Sequence, residues 1–356
     1  MNIKSLLLGS AAALVAVSGA RAADAVVVAE PEPMEYVRVC DVYGAGFYYI
    51  PGTETCLKVG GLVRYEIGAD EFGGDEGWNK DVLARLKLDA RSETEYGTFR
   101  RYIEIEHKIA GEGWDADRTD FDLKGGSKTT LRHAYFELGG LLVGHTDTLF
   151  DGELSGEFDV SGGERVNQIR YTFDAGNGIA VSLGLEEESD NYDYVPLVTG
   201  KVGITQGWGS LNLYAGYDDA YEEFALKAIA SFKATDALTV ELLAGYESGP
   251  TFFSINPDMN GISGPYVGYA WTAGGYLKYQ FNEKLAAGFG GQYFGDAHDT
   301  NLASRAVAGN NDWVVGGVVD YNIVENLDAM LAVNYYDGDS FEDGGFAGFL
   351  RLDASF

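Results

Sequence analysis

Hydrophobic and polar residues alternate along most of the chain with the two-residue period of a β-strand. In "CLKVGGLVRYEIGA", which starts at residue 56, Val59, Val63 and Tyr65 fall on one face, whereas Arg64 and Glu66 fall on the other. The segment "GFAGFLRLDASF", residues 345–356, alternates in the same way up to Phe356. Because unpaired terminal residues fray, this pattern predicts that the last strand pairs with another strand.

Sixteen segments of this kind follow one another along the chain. They are predicted as strands at residues 56–69, 81–93, 98–110, 127–138, 141–146, 165–174, 178–187, 195–206, 210–218, 223–234, 237–247, 266–281, 284–295, 312–323, 326–337 and 345–356. Their connections alternate between tight turns such as "LGG" and "NEK" and long loops such as "DTLFDGELSGEFDVSGGE". Short turns at one end and long loops at the other are typical of a membrane β-barrel.

The polar faces of these strands decide between two all-β architectures. A soluble β-sandwich also alternates, but it seldom carries sixteen strands in one unit, and charged residues on one face suit the wet interior of a large barrel. We therefore predict an all-β fold, a 16-stranded antiparallel transmembrane β-barrel over residues 55–356. The residues expected to line its interior are Arg64, Arg85, Lys87, Arg91, Glu104, Glu106, Arg170, Lys201, Glu241, Lys278 and Arg351.

Composition supports this fold and excludes some functions. The chain has 49 glycines, 7 prolines, 23 tyrosines and 19 phenylalanines, which suits short strands with tight turns. Aromatic residues cluster at strand ends, where amphipathic rings meet the two membrane interfaces, although tyrosine also simply favours strands. The formal net charge of −30 argues against binding nucleic acid through its phosphates.

Residues 1–22 have the features of a secretory signal peptide. Lys4 precedes an apolar stretch from Leu6 to Val17, and the small-residue pattern Ala20-Arg21-Ala22 follows. The apolar stretch is shorter than the roughly 20 residues that a spanning helix requires. Export with cleavage after Ala22 is expected.

Cys40 and Cys56 are the two cysteines of the chain, and they bracket "DVYGAGFYYIPGTET". In an exported protein the default expectation is a disulfide, with free thiols as the alternative. Such a bond would constrain an N-terminal segment, residues 23–54, by roughly 3 kcal/mol.

Candidate catalytic chemistry is sparse in the sequence. The four histidines are His107, His133, His145 and His298, and the "GxSxG" element of many serine hydrolases does not occur. His133 and His145 lie on adjacent predicted strands, but a histidine that lines a barrel needs no catalytic role. We expect no enzyme activity, no cofactor and no metal site.

The sequence resembles the alphaproteobacterial general porins, which include the brucella-type and rhizobial outer-membrane porins. The resemblance rests on the leader "MNIKSLLLGSAAALVA", the block "EYVRVCDVYGAGFYYIPGTETCLKVGG", the segment "AYFELGGLLVG" and the terminal "SF". It implies a homotrimer in the bacterial outer membrane, in contact with its lipid, that passes small hydrophilic solutes and ions by passive diffusion. It also implies that Phe356 belongs to the signal read by the barrel-assembly machinery.

In such porins the third external loop folds into the barrel and narrows it. By the strand count this loop is "DTLFDGELSGEFDVSGGE", whose candidate constriction carboxylates are Asp147, Asp151, Glu153, Glu157 and Asp159, with Glu164 at its end. The opposing basic wall is expected from Arg64, Arg85, Lys87 and Arg91, with Arg170 further along the chain. Opposed charges in a confined pore filter ions, whereas the alternative is that these acids are ordinary solvated loop charges.

Two other functions stay open at this point. A substrate-selective channel would have the same architecture with a weak solute site in its lumen. A structural or adhesive barrel would use its long loops to bind a partner.

Overall fold

A computed structural model describes residues 38–72, 78–111, 127–162, 164–187, 195–257, 265–299 and 308–356. The expected signal peptide and residues 23–37 of the N-terminal segment lie outside these residues. Within them, no helix is long and apolar enough to cross a membrane.

The predicted sixteen-stranded antiparallel barrel is confirmed, and each strand begins and ends within three residues of its predicted bounds. The barrel strands are β2 (Cys56–Asp70), β3 (Asn79–Thr94), β4 (Gly97–Gly111), β5 (Ser127–Leu138), β6 (Leu141–Asp147), β8 (Arg165–Asp174), β9 (Ile179–Glu187), β10 (Leu197–Gln206), β11 (Gly209–Asp218), β12 (Glu223–Lys233), β13 (Leu238–Glu247), β15 (Tyr269–Gln280), β16 (Leu285–Ala297), β17 (Asp312–Val324), β18 (Leu327–Gly338) and β19 (Gly345–Ser355).

Three further short strands are additional to the sixteen strands of the barrel. The strand β1 (Tyr48–Tyr49) pairs with the start of β2, and β7 (Asp159–Ser161) pairs with β14 (Ile255–Pro257) in a separate two-stranded sheet. Sequence analysis did not predict these three strands. The β7–β14 pair joins two connections that are far apart in the chain.

The barrel closes where β19 pairs with β2. Leu350 lies opposite Ile67 and Leu352 lies opposite Tyr65 in this antiparallel ladder. Beyond the ladder, the Gly61 amide donates to the Phe356 carbonyl at 3.1 Å, and the Phe356 amide donates back to the Gly61 carbonyl at 3.1 Å. The predicted pairing of the last strand is therefore confirmed.

The outer face of the barrel is apolar, with paired aromatic residues near one end. We call the end that carries residues 148–164 and 248–268 the long-loop rim, and the opposite end the short-turn rim. Near the long-loop rim, outward aromatic residues oppose each other across neighbouring strands from β11 to β19: Tyr217 with Phe224, Tyr246 with Trp271, Tyr293 with Trp313, and Tyr335 with Phe346. This row is what a membrane interface favours.

From β4 to β9 the row near the long-loop rim is polar instead. His107 Nδ1 lies 2.8 Å from Thr129 Oγ1, and His145 Nδ1 lies 3.0 Å from Asn167 Oδ1. The Asn167 amide then donates to Glu187 at 2.8 Å. We call these five residues the polar row; among the described residues, the strands that it occupies carry none of the aromatic pairs near this rim.

The predicted disulfide between Cys40 and Cys56 is confirmed, with the two Cα atoms 6.0 Å apart. Both cysteines and Phe47 are buried in a small cluster at the start of β2. Arg91 lies over the Phe47 ring, with its guanidinium carbon 5.0 Å from the centroid. Burial and the Glu93 carboxylate, which accepts a 2.7 Å hydrogen bond from Tyr43, raise the pKa of Tyr43 to about 12. The disulfide therefore attaches residues 40–49 to the short-turn rim of the barrel.

Candidate pore constriction

Residues 148–164, which we call loop L3, fold into the barrel. Phe150, Leu154 and Phe158 of this loop are almost fully buried. They form one cluster with side chains on the inner face of β11–β18, including Tyr214, Ile229, Leu243, Tyr276, Phe294, Val314 and Tyr336. The loop therefore has an apolar side against one part of the wall, and its other side faces the rest of the lumen.

Polar groups of the wall fix the backbone of L3 along its length. At its start, Glu186 of β9 accepts hydrogen bonds from the Leu149 amide at 2.8 Å and from Thr148 Oγ1 at 2.5 Å. In its middle, Glu241 of β13 accepts from the amide and the hydroxyl of Ser155, both at 2.9 Å. Carboxylates that accept amide hydrogen bonds hold a segment more firmly than neutral acceptors do.

Two donors complete this attachment. Lys227 of β12 donates to the Gly152 carbonyl at 2.8 Å, and Asn334 of β18 donates to the Glu157 carbonyl at 2.7 Å. Since β9 and β18 lie on different sides of the barrel, L3 spans the lumen.

A second loop, L6 (residues 248–257 and 265–268 in the described part), also folds inward and braces L3. Phe252, Phe253 and Ile255 are buried in the same cluster as the L3 phenylalanines. Glu247 accepts from the Ile255 amide at 3.1 Å, and Asp218 accepts from the Phe252 amide at 2.9 Å. Through the β7–β14 pair, L6 is hydrogen-bonded to L3. Sequence analysis predicted L6 only as a long external loop.

The predicted acidic residues occupy different positions along this loop. Glu157 is half-buried, has φ +55°, and its Oε2 lies 3.5 Å from Nη1 of Arg351. Asp151 is half-buried and Glu153 is exposed. Asp147 ends β6 and lies 3.9 Å from Arg165, and Asp159 belongs to β7. Glu164, just before β8, is exposed.

The predicted basic residues of β2 and β3 are engaged mainly by carboxylates of the wall itself. Arg64 forms a two-pronged pair with Asp353, with both distances at 2.7 Å. Arg85 lies 2.5 Å from Glu106, and Lys87 lies 3.8 Å from Glu104. Arg91 pairs with Asp89 at 2.7 Å, close to the disulfide cluster rather than to L3. The expected basic wall is therefore a ladder of ion pairs.

Arg351, Arg100 and Arg132 complete this ladder; Arg351 was predicted to line the interior, whereas Arg100 and Arg132 were not predicted. Arg100 pairs with Asp89 and Glu137, each at 3.0 Å. Arg132 lies 3.2 Å from Glu104 and from Glu106, at a point where the register between β4 and β5 shifts by one residue. Alternation alone could not identify Arg132, because it precedes the inward His133 and the irregularity turns both side chains to the lumen.

Arg170 of β8 and Lys201 of β10 differ from the other inward cations. Within the described part of the chain, neither has a carboxylate oxygen within 4.0 Å, and both line one concavity of the lumen wall. The two candidate histidines do not meet: His133 Nδ1 lies 2.9 Å from Thr146 on the inner face, whereas His145 belongs to the outer polar row.

Comparisons with known proteins agree with this architecture. The family model described as "Porin subfamily" matches residues 24–348. The porin Omp2b of Brucella suis biovar 1 and that of Brucella abortus are each 38% identical over 385 residues, covering 100% of both chains.

Among solved structures, the outer-membrane channel DcaP of Acinetobacter baumannii has a TM-score of 0.64 at 15% identity, covering 86% of this chain and 99% of its own. A trimer form of OmpT of Vibrio cholerae has a TM-score of 0.53 at 12% identity, covering 85% and 100%. These two likenesses concern the fold. The family match and the Brucella relatives show that the chain belongs to the porin family and is an outer-membrane channel of bacteria.

Proposed function

We propose that this porin passes small hydrophilic solutes and ions by passive diffusion, through the space between L3 and the ion-pair ladder of β2–β5 and β19. The observation that carries the proposal is the two-sided character of L3. Its apolar side chains are buried against β11–β18, so the opening runs along its polar side. Both surfaces of that opening are charged or polar, which suits hydrated solutes.

Recording in planar bilayers tests this function. The purified protein should give stepwise, long-lived increases in conductance, and small sugars should cross proteoliposomes at rates that fall steeply with solute size. An adhesive barrel closed by its loops would give no steps, and that result would refute the proposal. Membership of the porin family already implies a channel rather than an enzyme.

We further propose that L3 forms the constriction and favours cations modestly. The wall cations of β2–β5 are matched by wall carboxylates, whereas L3 brings the acids Asp151, Glu153 and Glu157 to the opening, with Arg351 near Glu157 and Lys201 near Asp151. Residual negative charge in a narrow zone enriches cations. A zero-current potential of the anion-selective sign in a potassium chloride gradient would refute this preference.

Export and assembly are proposed to follow the family pattern. Residues 1–22 would be removed after Ala22, and mass spectrometry of the mature protein would read Ala23 at its N terminus. The barrel-assembly machinery would then recognise the terminal strand with Phe356. A mature protein that retains Lys4 would refute the cleavage.

The association of copies is proposed to use the outer face of β4–β9. A row of hydrogen-bonded polar side chains is poorly suited to lipid, and the aromatic row that marks the lipid interface is absent there. A trimer, as in the Vibrio cholerae OmpT form, would cover it. A photo-cross-linking amino acid at Asn167 should give a two-chain band in outer membranes, whereas the same substitution at Trp271 should not. Equal bands at the two positions would contradict this choice of face.

A further inference from the structure

Arg170 and Lys201 lie on either side of β9, and both point into the lumen. Arg170 is opposite Gly184 in the β8–β9 ladder, and Lys201 is opposite Ser182 in the β9–β10 ladder. Neighbouring strands lie about 4.8 Å apart and the two positions are offset by two residues of about 3.4 Å along β9, so the two Cα atoms are separated by roughly 12 Å. The small residue Ser182 lies between them and lines the space above β9.

The space above β9 is a concavity of about 500 Å³. It runs from Leu149, at the start of L3, to Asp174 and Gly178, at the short turn after β8. It therefore lies on the short-turn side of L3, which in an outer-membrane channel faces the periplasm. Besides the two cations, its lining includes Thr172 and Ser182, whose hydroxyl oxygens lie 2.8 Å apart, and Asn212.

The carboxylates near these two cations are engaged elsewhere. Asp174 Oδ1 accepts a 2.8 Å hydrogen bond from the Gly176 amide in its own turn. Glu186 accepts from Thr148, from the Leu149 amide and from Thr199. Asp151 of L3 attracts Lys201 but forms no ion pair with it within 4.0 Å. Most other inward cations described above have a carboxylate partner, so this pair is a local excess of positive charge.

We propose that Arg170 and Lys201 form a low-affinity subsite for compact, multiply charged anions, such as phosphate or small phosphorylated solutes, on the periplasmic side of the constriction. An arginine fork binds phosphate oxygens in pairs, and a lysine ammonium adds a point charge. The Asn212 amide and the one free hydroxyl of the Thr172–Ser182 pair supply neutral donors. In a chain of net charge −30, this subsite retains anions that the acidic loop L3 would otherwise repel.

The inference rests on the proposed diffusion pore, because a solute must reach the lumen to bind. The probe is inorganic phosphate at mildly alkaline pH, where it carries two charges, added to single channels in dilute potassium chloride. Wild-type conductance should fall saturably as phosphate is raised. Since a charge-assisted hydrogen bond contributes about 1.5–3 kcal/mol, the variant Arg170→Gln/Lys201→Gln should raise the half-saturating phosphate concentration at least about tenfold.

Lys278→Gln is the matched control, because Lys278 is an inward lysine whose Nζ lies 3.0 Å from Asp320. Its half-saturating concentration should equal that of the wild type. The subsite is refuted if phosphate leaves wild-type conductance unchanged, if the double variant responds as the wild type does, or if Lys278→Gln is weakened equally. In each of these outcomes the channels still conduct, whereas a protein that gives no ion current at all would refute the diffusion pore itself.

Discussion

The guanidinium of Arg351 lies between two carboxylates that come from distant parts of the chain. Its Nε is 2.6 Å from Glu66 on β2, and its Nη1 is 3.5 Å from Glu157 on L3. Arg351 is thus the contact through which the ion-pair ladder of the wall reaches the inward loop. Its positive charge offsets the negative charges that Glu66 and Glu157 bring to this zone.

Replacing Arg351 with glutamine should increase the preference for cations, because Glu66 and Glu157 would then keep their charges without a partner. Zero-current potentials in a potassium chloride gradient measure the change. Arg351→Lys keeps the charge and should shift the potential much less. A shift of Arg351→Gln toward anions would show that the two carboxylates do not face the permeating ions.

Removing the negative charges of L3 should have the opposite effect. The triple variant Asp151→Asn/Glu153→Gln/Glu157→Gln should move the zero-current potential toward anions. The control changes Asp337, Asp339 and Glu342 to amides near the long-loop rim, where ions screen charges within about 8 Å at physiological salt. If both triple variants shift the zero-current potential equally, the ion selectivity arises from charges over the whole long-loop end of the pore rather than from L3.

Loosening L3 should disturb the conductance. Glu241→Gln weakens the two hydrogen bonds to Ser155, and loss of charge-assisted bonds costs about 1.5–3 kcal/mol each. We expect more current noise and additional conductance levels in single-channel records. Asp320→Asn, an inward change on β17 that pairs with Lys278, is the control and should leave the records quiet. Identical noise in the two variants would mean that Glu241 does not hold the loop.

The disulfide should stabilise the N-terminal segment rather than the barrel. Thiol titration of the unfolded, unreduced protein should find no free thiol. The variant Cys40→Ser/Cys56→Ser should lose about 3 kcal/mol of protection in this segment. Hydrogen exchange should then speed up at residues 40–49 and stay unchanged in β13. Faster exchange throughout the barrel would contradict this local role.

Deleting Phe356 should lower the amount of assembled protein without altering the conductance of the channels that do assemble. Its backbone forms both hydrogen bonds with Gly61 at the end of the β19–β2 ladder. Heat-modifiable mobility of outer-membrane protein on gels measures assembly, and single-channel records measure conductance. Normal assembly after the deletion would contradict both the pairing argument and the terminal signal.

The barrel wall could be predicted from the sequence because alternating polar and apolar residues distinguish the inner face of each strand from its outer face. The strand Ser127–Leu138 was predicted with the same bounds, and Arg64, Arg85 and Arg351 were placed on the inner face from alternation alone. Alternation is a property of a single strand, so the assignment of a residue to the inner or outer face does not require knowledge of the neighbouring strand.

The partners of these side chains could not be predicted in this way. The pairing of Arg85 with Glu106 requires the register between β3 and β4, and the inward position of Arg132 requires the irregularity between β4 and β5. The inward course of L6 had one available signal, the apolar pair Phe252 and Phe253 within a polar loop. That pair is buried because L6 packs on L3 and on the wall, and the β7–β14 pairing joins the two loops.

The ladder between β2 and β19 joins the first strand of the barrel to its last. A sheet with fifteen of these strands would expose two unpaired edges, each able to pair with another chain. Only the arrival of β19 removes both edges in one step. The closing ladder therefore makes the barrel depend on its last strand. A chain without that strand keeps two exposed edges and is prone to pair with other chains.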